Sequence, residues 1–268
     1  MQRKIGSTLV VLGIVVVLLA GGGCGVQRTE IIASPGPPQS PPNTSPTPVE
    51  QDAVTGSAAK PSETTPKSVS PPQKERILFD GKSLEGWKAS VFGGDGEIKL
   101  SNDSLSLGMG DPLTGVSYSG SDLPRNHYEV SLEARRVSGN DFFCCLTFPV
   151  DDSHCSLVVG GWAGSIVGLS CLDEKDAARN ETMRTMGFAD GQWYKIRVQV
   201  MPEKILCWID DEMVVDADTR GKKISLRNEV LLSRPLGVCN FQTVAEIRNI
   251  KLVELPVTEN APTVEKTK

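Results

Sequence analysis

The chain has 268 residues, 33 acidic against 28 basic side chains for a formal charge of −5, only two histidines and seven cysteines. That balance offers no basic face for nucleic acid. With no Cys-x-x-Cys, no His-Glu-x-x-His and no clustered histidines, it also offers no zinc site of a familiar type. In chain order, Gln2-Arg3-Lys4, the apolar run Leu9 to Ala20 and then Gly21-Gly22-Gly23-Cys24 have the parts of an export signal, so residues 1–26 are expected to direct the protein out of the cytoplasm. The protein is expected to be tethered to the membrane of the cell envelope, by a lipid or by a helix, with the folded part outside the cytoplasm; release is the lesser alternative. Cleavage before Cys24 gives a lipid-modified N-terminus and a lipoprotein of the cell envelope; no cleavage leaves Ile5 to Val26 as a single membrane anchor; cleavage elsewhere near the glycines frees the protein. Residues 27–75, rich in Pro, Ser, Thr, Ala and Gly, cannot bury enough apolar surface to offset ordering and are expected to form an extended linker.

A folded unit is expected over 76–256, the size of one domain with a real core, followed by a short tail over 257–268. Ile77 and Phe79 are at strand spacing, Asp80-Gly81 signals a turn and Trp87 supplies a large anchor. Gly93-Gly94-Asp95-Gly96 introduces no helix and reads as turns, not as a phosphate cradle. Tyr128, Val130, Leu132 and Ala134 alternate with Glu129, Ser131, Glu133 and Arg135, the pattern of a half-buried strand. Cys171 to Met186 is so polar that it reads as a loop with at most a turn of helix. Ile196, Val198 and Val200 share one face of a strand that turns through Met201-Pro202-Glu203-Lys204 into Ile205 to Ile209, and Asp210-Asp211-Glu212 breaks to a further strand at Met213 to Asp216. Many short strands without long amphipathic helices predict an all-β jelly-roll sandwich of two antiparallel sheets. Trp87, Trp193 and Trp208 read as core residues.

Phe79-Asp80-Gly81-Lys82-Ser83-Leu84-Glu85-Gly86-Trp87 resembles the opening of the 3-keto-disaccharide hydrolase domain, a concanavalin-like sandwich family. Trp193 to Val198 resembles a hairpin of laminin-G and concanavalin-type domains. Arg234-Pro235-Leu236-Gly237-Val238 and Glu246 to Leu252, with its Arg248-Asn249-Ile250, resemble the family's closing strands. Gly139-Asn140 begins the equivalent of a family Gly-Asn-Ser-Gly strand, with Asp141-Phe142 in place of Ser-Gly. The resemblance implies a saccharide ligand and a reaction on glycosides already oxidised to a ketone at C3. The ketone acidifies the C2 proton; its removal lets the enolate expel the glycosidic oxygen from C1, and water adds afterwards. Such chemistry needs a base near C2, a cation or strong donor at the C3 oxygen and an acid near the leaving group.

The residues offered for these roles are Asp141 or His154 as base, Arg184 for the enolate and Glu181 as acid. Asn140, Trp162 and Asn180 are expected to bind substrate, Trp162 as a stacking platform; Asn180 also heads an Asn-x-Thr glycosylation acceptor. No cofactor is identified, and a divalent metal held by carboxylates and histidine stays open as a replacement for the arginine. Each residue has a plainer reading: His154 caps a turn, Asp141 is a turn acid, and Glu181 and Arg184 are solvated loop charges. A carbohydrate-binding module without catalysis and a structural envelope protein are the competing functions. The six cysteines after residue 100 read as buried free thiols, with Cys144 and Cys155 as the pair to test for a bridge.

Overall fold

The computed structural model describes residues 74–257. The expected export signal with Cys24, nearly all of the expected linker and nearly all of the expected tail lie outside the described residues. The chain opens with β1 (Lys74–Phe79) and β2 (Trp87–Ala89), then β3 (Ile98–Ser101), β4 (Ser104–Leu107), β5 (Leu113–Tyr118) and the long β6 (Tyr128–Gly139). A meander of β7 (Cys144–Val150), β8 (Ser153–Gly160) and β9 (Ile166–Ser170) follows, with the two-residue β10 (Arg184–Thr185) paired back on β9. A second meander of β11 (Tyr194–Met201), β12 (Lys204–Ile209) and β13 (Glu212–Asp218) precedes a 3-10 turn at Asn228–Ser233. The last strands are β14 (Gly237–Phe241) and β15 (Thr243–Glu254).

Eight strands make one antiparallel sheet in the order β13-β12-β11-β6-β15-β4-β3, with β1 lying along the second half of β15. Seven make the other, in the order β10-β9-β8-β7-β14-β5-β2. This is the expected sandwich of two antiparallel sheets. The alternation that predicted it is visible as burial: Tyr128, Val130, Leu132 and Ala134 of β6 and Tyr194, Ile196, Val198 and Val200 of β11 point between the sheets, while their neighbours stay partly or fully exposed. From the other sheet, Cys144, Leu146 and Phe148 of β7 and Cys155, Leu157 and Val159 of β8 complete the core. Asp151, Glu203 and Asp210 hold φ between 44 and 59° at the tips of the tight hairpins, a conformation that short acidic side chains tolerate better than branched ones.

The two sheets differ on their outer faces. On the eight-stranded sheet, Arg135 and Arg248 stack over the Trp193 ring at 4.7 and 4.0 Å, and Arg197 stacks over Trp208 at 4.4 Å. Glu246, Glu133 and Glu129 hold these guanidinium groups at 2.6, 2.6 and 3.0 Å. Trp193 and Trp208 are therefore not core residues as expected; their outward register leaves them half-buried beneath arginines. Trp87 is in the core, with Nε1 donating to the Leu78 carbonyl at 2.8 Å and its ring edge-on to Tyr118.

Every residue of β7 is buried, because the outer face of the seven-stranded sheet is covered too. Segments 171–183 and 223–236 lie over it, and a second apolar cluster of Leu113, Cys145, Val158, Ala177, Val230 and Cys239 fills the space beneath. The six cysteines of the described residues are all free and buried. The Cys144–Cys155 bridge does not form: Cys144 is opposite Val159 and Cys155 opposite Phe148, so four register steps, about 13 Å of strand, separate the two. Burial pushes the Cys155 thiol up to about 12 and the Cys144 and Cys207 thiols well above their usual range.

Candidate functional site

Rows of register partners run across the outer face of the seven-stranded sheet. One row is Gly115, Cys239, Cys145, Val158 and Gly168, from β5 to β9; the next is Ser117, Gly237, Thr147, Ser156 and Ser170. Over part of this floor lies a pocket of about 300 Å³, at the small end of the range for ligand sites. Leu113, Cys145, Val158, Ser156 and Ser170 form its base; Phe142, Phe241, Asp141 and Trp162 form one wall; Arg227, Glu229 and Val230 form the other.

The aromatic wall is built by two chain segments that meet where β7 and β14 begin and end. Phe241 N–H donates to the Phe142 carbonyl at 3.0 Å, which brings the two rings to 5.5 Å between centroids, tilted by 43°. Asn240, fully buried, fixes this corner: its amide donates to the carbonyls of Leu107 and Thr243 at 3.0 and 2.5 Å, and its oxygen accepts from Thr114 N–H at 3.2 Å. Asp141 is oriented by backbone alone. Its Oδ1 accepts from Phe142 N–H at 2.8 Å, and its Oδ2 accepts from Ala163 N–H at 3.3 Å.

That second bond reaches the turn between β8 and β9, where Gly160, Trp162, Ala163 and Gly164 all have positive φ (78, 49, 64 and 91°). Trp162 and Ala163 are strained in this region, and such strain persists only where the surroundings hold it. The Asp141 carboxylate is one such hold. Arg136 is another, packed where a Cβ on Gly164 would come within 2.8 Å of its Nη1 and anchored by its Nη2 donating to the Phe188 carbonyl at 2.6 Å. The result presents the Trp162 ring at the pocket, 40% exposed.

The opposite wall carries charge. Arg227 donates from Nε and Nη2 to Glu229 at 3.3 and 2.8 Å and from Nη1 to the buried Asp176 at 3.2 Å. The bond from Arg227 holds the Glu229 carboxyl below its usual range, and Glu229 in turn raises Arg227, so both stay ionised at neutral pH.

Of the residues nominated from the sequence, Asp141 and Trp162 come together in this pocket and the others do not line it. Asn140 is exposed beside the turn, with its carbonyl near Gly164. His154 lies on the same sheet face two residues along β8 from Ser156, opposite Pro149; burial first, then Arg125 and Arg234, lower its pKa and keep the ring neutral. Its Nε2 is buried without a partner. Glu181 pairs with Lys222, which holds its carboxyl low, so it carries no proton to donate at neutral pH. Arg184 is exposed on β10, its Nε donating to the Val214 carbonyl at 3.3 Å. Asn180 spends its amide on the carbonyls of Leu169, Lys175 and Asp176 at 2.8 to 3.0 Å and its oxygen on Thr182. It is a bracket for the 171–183 segment, with no donor left for a ligand. Among the described residues no group of three or more His, Cys, Asp or Glu is placed to hold a metal ion. Sequence reasoning missed Phe241, Arg227 and Glu229; the only local signal for the latter two is the Arg-x-Glu spacing, in a connection between strands that meets the pocket only in the fold.

A β-sandwich with a pocket walled by aromatic rings, a carboxylate and an arginine has the kinds of group that saccharide recognition uses. Residues 74–253 match the 3-keto-alpha-glucoside-1,2-lyase-like domain, and the chain belongs to that family. Among solved structures it is similar to the carbohydrate-binding module CBM66 from Bacillus subtilis, at 14% identity over 62% of this chain and 94% of that one, TM-score 0.44. A putative glycosyl hydrolase from Parabacteroides distasonis aligns at 11% identity over 68% and 94% of the two chains, TM-score 0.42. The Crh5 transglycosylase aligns at 7% identity over 69% and 85%, TM-score 0.47. No curated protein matches the chain.

Proposed function

We propose that the pocket takes the oxidised ring of a 3-keto-α-glucoside and cleaves it by elimination, with Asp141 as the base. The observation that carries this reading is the meeting of Asp141, Trp162, Phe142 and Phe241 with Arg227 around one ring-sized pocket in a chain of the lyase-like family. The aromatic wall suits the apolar face of a pyranose. Asp141 removes the C2 proton, the electron pair moves to the ketone oxygen as an enolate, and its collapse breaks the C1–O bond. The departing oxygen takes a proton from solvent at the pocket mouth, and Asp141 returns its own to solvent. Arg227 spends three N–H groups on Glu229 and Asp176, and the rest of its fork is free to face the enolate oxygen. Glu229 is ionised and cannot serve as an acid, so the pocket is equipped for elimination, a lyase step, and later addition of water needs no group from the protein.

The full chain incubated with 3-keto-trehalose is expected to release glucose together with an enone product. Asp141→Asn keeps the oxygen that accepts from Phe142 and removes the base; it is expected to lower kcat by about 100-fold or more with KM little changed. Saturable binding of the keto-sugar without elimination, or an Asp141→Asn variant as fast as the parent, would refute the reaction and leave saccharide binding alone. That second reading has its own support: Arg227 is already charge-compensated by two carboxylates.

A further inference from the structure

We propose that Cys145 and Cys239 form a redox pair at the floor of the pocket, closing to a disulfide between β7 and β14. They are register partners on adjacent antiparallel strands, so their side chains leave the same face of the sheet side by side. Opposite residues in such a ladder have Cα atoms about 4.5–5.5 Å apart, inside the range a disulfide spans. Both belong to the small outer cluster rather than to the core between the sheets, and Cys145 lines the pocket. The remaining described cysteines lack this arrangement: Cys144 is opposite Val159, Cys155 opposite Phe148, Cys207 opposite Val198 and Val215, and Cys171, just past β9, exchanges backbone hydrogen bonds with Ser225. Gly115 completes the geometry from β5, since a Cβ there would come within 2.6 Å of the Cys239 Cβ; the glycine leaves room for the second sulfur.

The step needs a two-electron oxidant, and a small disulfide such as oxidised glutathione supplies it by exchange. One thiolate attacks the oxidant to give a mixed disulfide and releases one reduced thiol; the partner thiolate then attacks the protein sulfur of that mixed disulfide and releases the second, each cysteine losing a proton. The Cys145 thiol and burial together raise the Cys239 thiol well above its usual range, so exchange on the folded protein is slow and speeds up with pH. Closure draws the Cys145 sulfur off the pocket floor and ties the strand that follows Phe142 to the strand that carries Phe241.

The full chain, produced reduced, is incubated folded with oxidised glutathione at pH 8.5 and, in parallel, unfolded and refolded in a glutathione buffer, then alkylated and mapped by peptide mass spectrometry. A peptide pair linked through Cys145 and Cys239, two hydrogens lighter than the reduced peptides and absent from Cys239→Ser, is the expected result. Both thiols alkylated in full after both treatments, or a different pairing as the main product, would overturn the proposal. Cys145→Ala and Cys207→Ala, compared by thermal melting, separate a bridge from a packing effect: only the first should lose the rise in Tm of several degrees that oxidation gives the parent.

Discussion

Asn180 illustrates what a single side chain does here. Its amide and oxygen tie together the end of β9, the start of the covering segment and Thr182, whose Oγ1 in turn accepts from Leu169 N–H at 2.9 Å. Replacing it with alanine strands three carbonyls and leaves Thr182 without its acceptor. Part of that cost is recovered by water, so Asn180→Ala should destabilise the fold by about 2–4 kcal/mol. Urea melts should show a lower midpoint with the slope preserved. The sequence marked Asn180 as polar and loop-borne but not which partners would claim it, because those partners are backbone groups brought close only by the covering segment. Asp141 was legible for the opposite reason: Gly139-Asn140 before it mark a turn acid and Phe142-Phe143 after it offer aromatic faces, a local combination, although β6 ends at Gly139 and the pair does not begin a strand as expected.

At the scale of elements, the site depends on a turn held in an unusual conformation. Gly164 is the position where this can be tested, since its φ of +91° and the anchored Arg136 both exclude a side chain. Gly164→Ala should cost about 1–2 kcal/mol and, by releasing Trp162, weaken saccharide binding several-fold without touching a pocket residue. Isothermal titration together with thermal melting would report both effects. Alternation revealed β6 and the β11–β12–β13 meander because one face of each meets solvent and the other the core. It could not reveal that β7 and β8 are covered on both sides, so their polar residues Thr147 and Ser156, hydrogen-bonded to each other at 2.8 Å, carry no outward signal. Trp193 and Trp208 depart from expectation for a related reason: large aromatic residues read as core, yet cation stacking satisfies them on an open face.

For the whole molecule, the ionisable groups set a pH window. His154 is held neutral, its pKa lowered from the ordinary value near 6.5, so the unfolded chain binds the extra proton first as pH falls. Stability should therefore rise with pH up to about 6.5 and fall as pH drops below it. A second decline belongs to more acidic pH, where Glu133 and Glu229, lowered in the fold, take up protons only after their unfolded counterparts have done so. Urea denaturation of the parent and His154→Gln from pH 4 to 8 should show the first slope only in the parent.

β1 closes the eight-stranded sheet by lying along β15, with Lys74 opposite Glu254 and their side chains 3.4 Å apart. Where the domain begins and where it finishes are thus neighbours, on the layer away from the pocket. It is built like a plug-in cassette: spliced into a host through that corner, it would hang by two adjoining threads with its mouth turned outward, and joining them would allow a new start to be cut elsewhere.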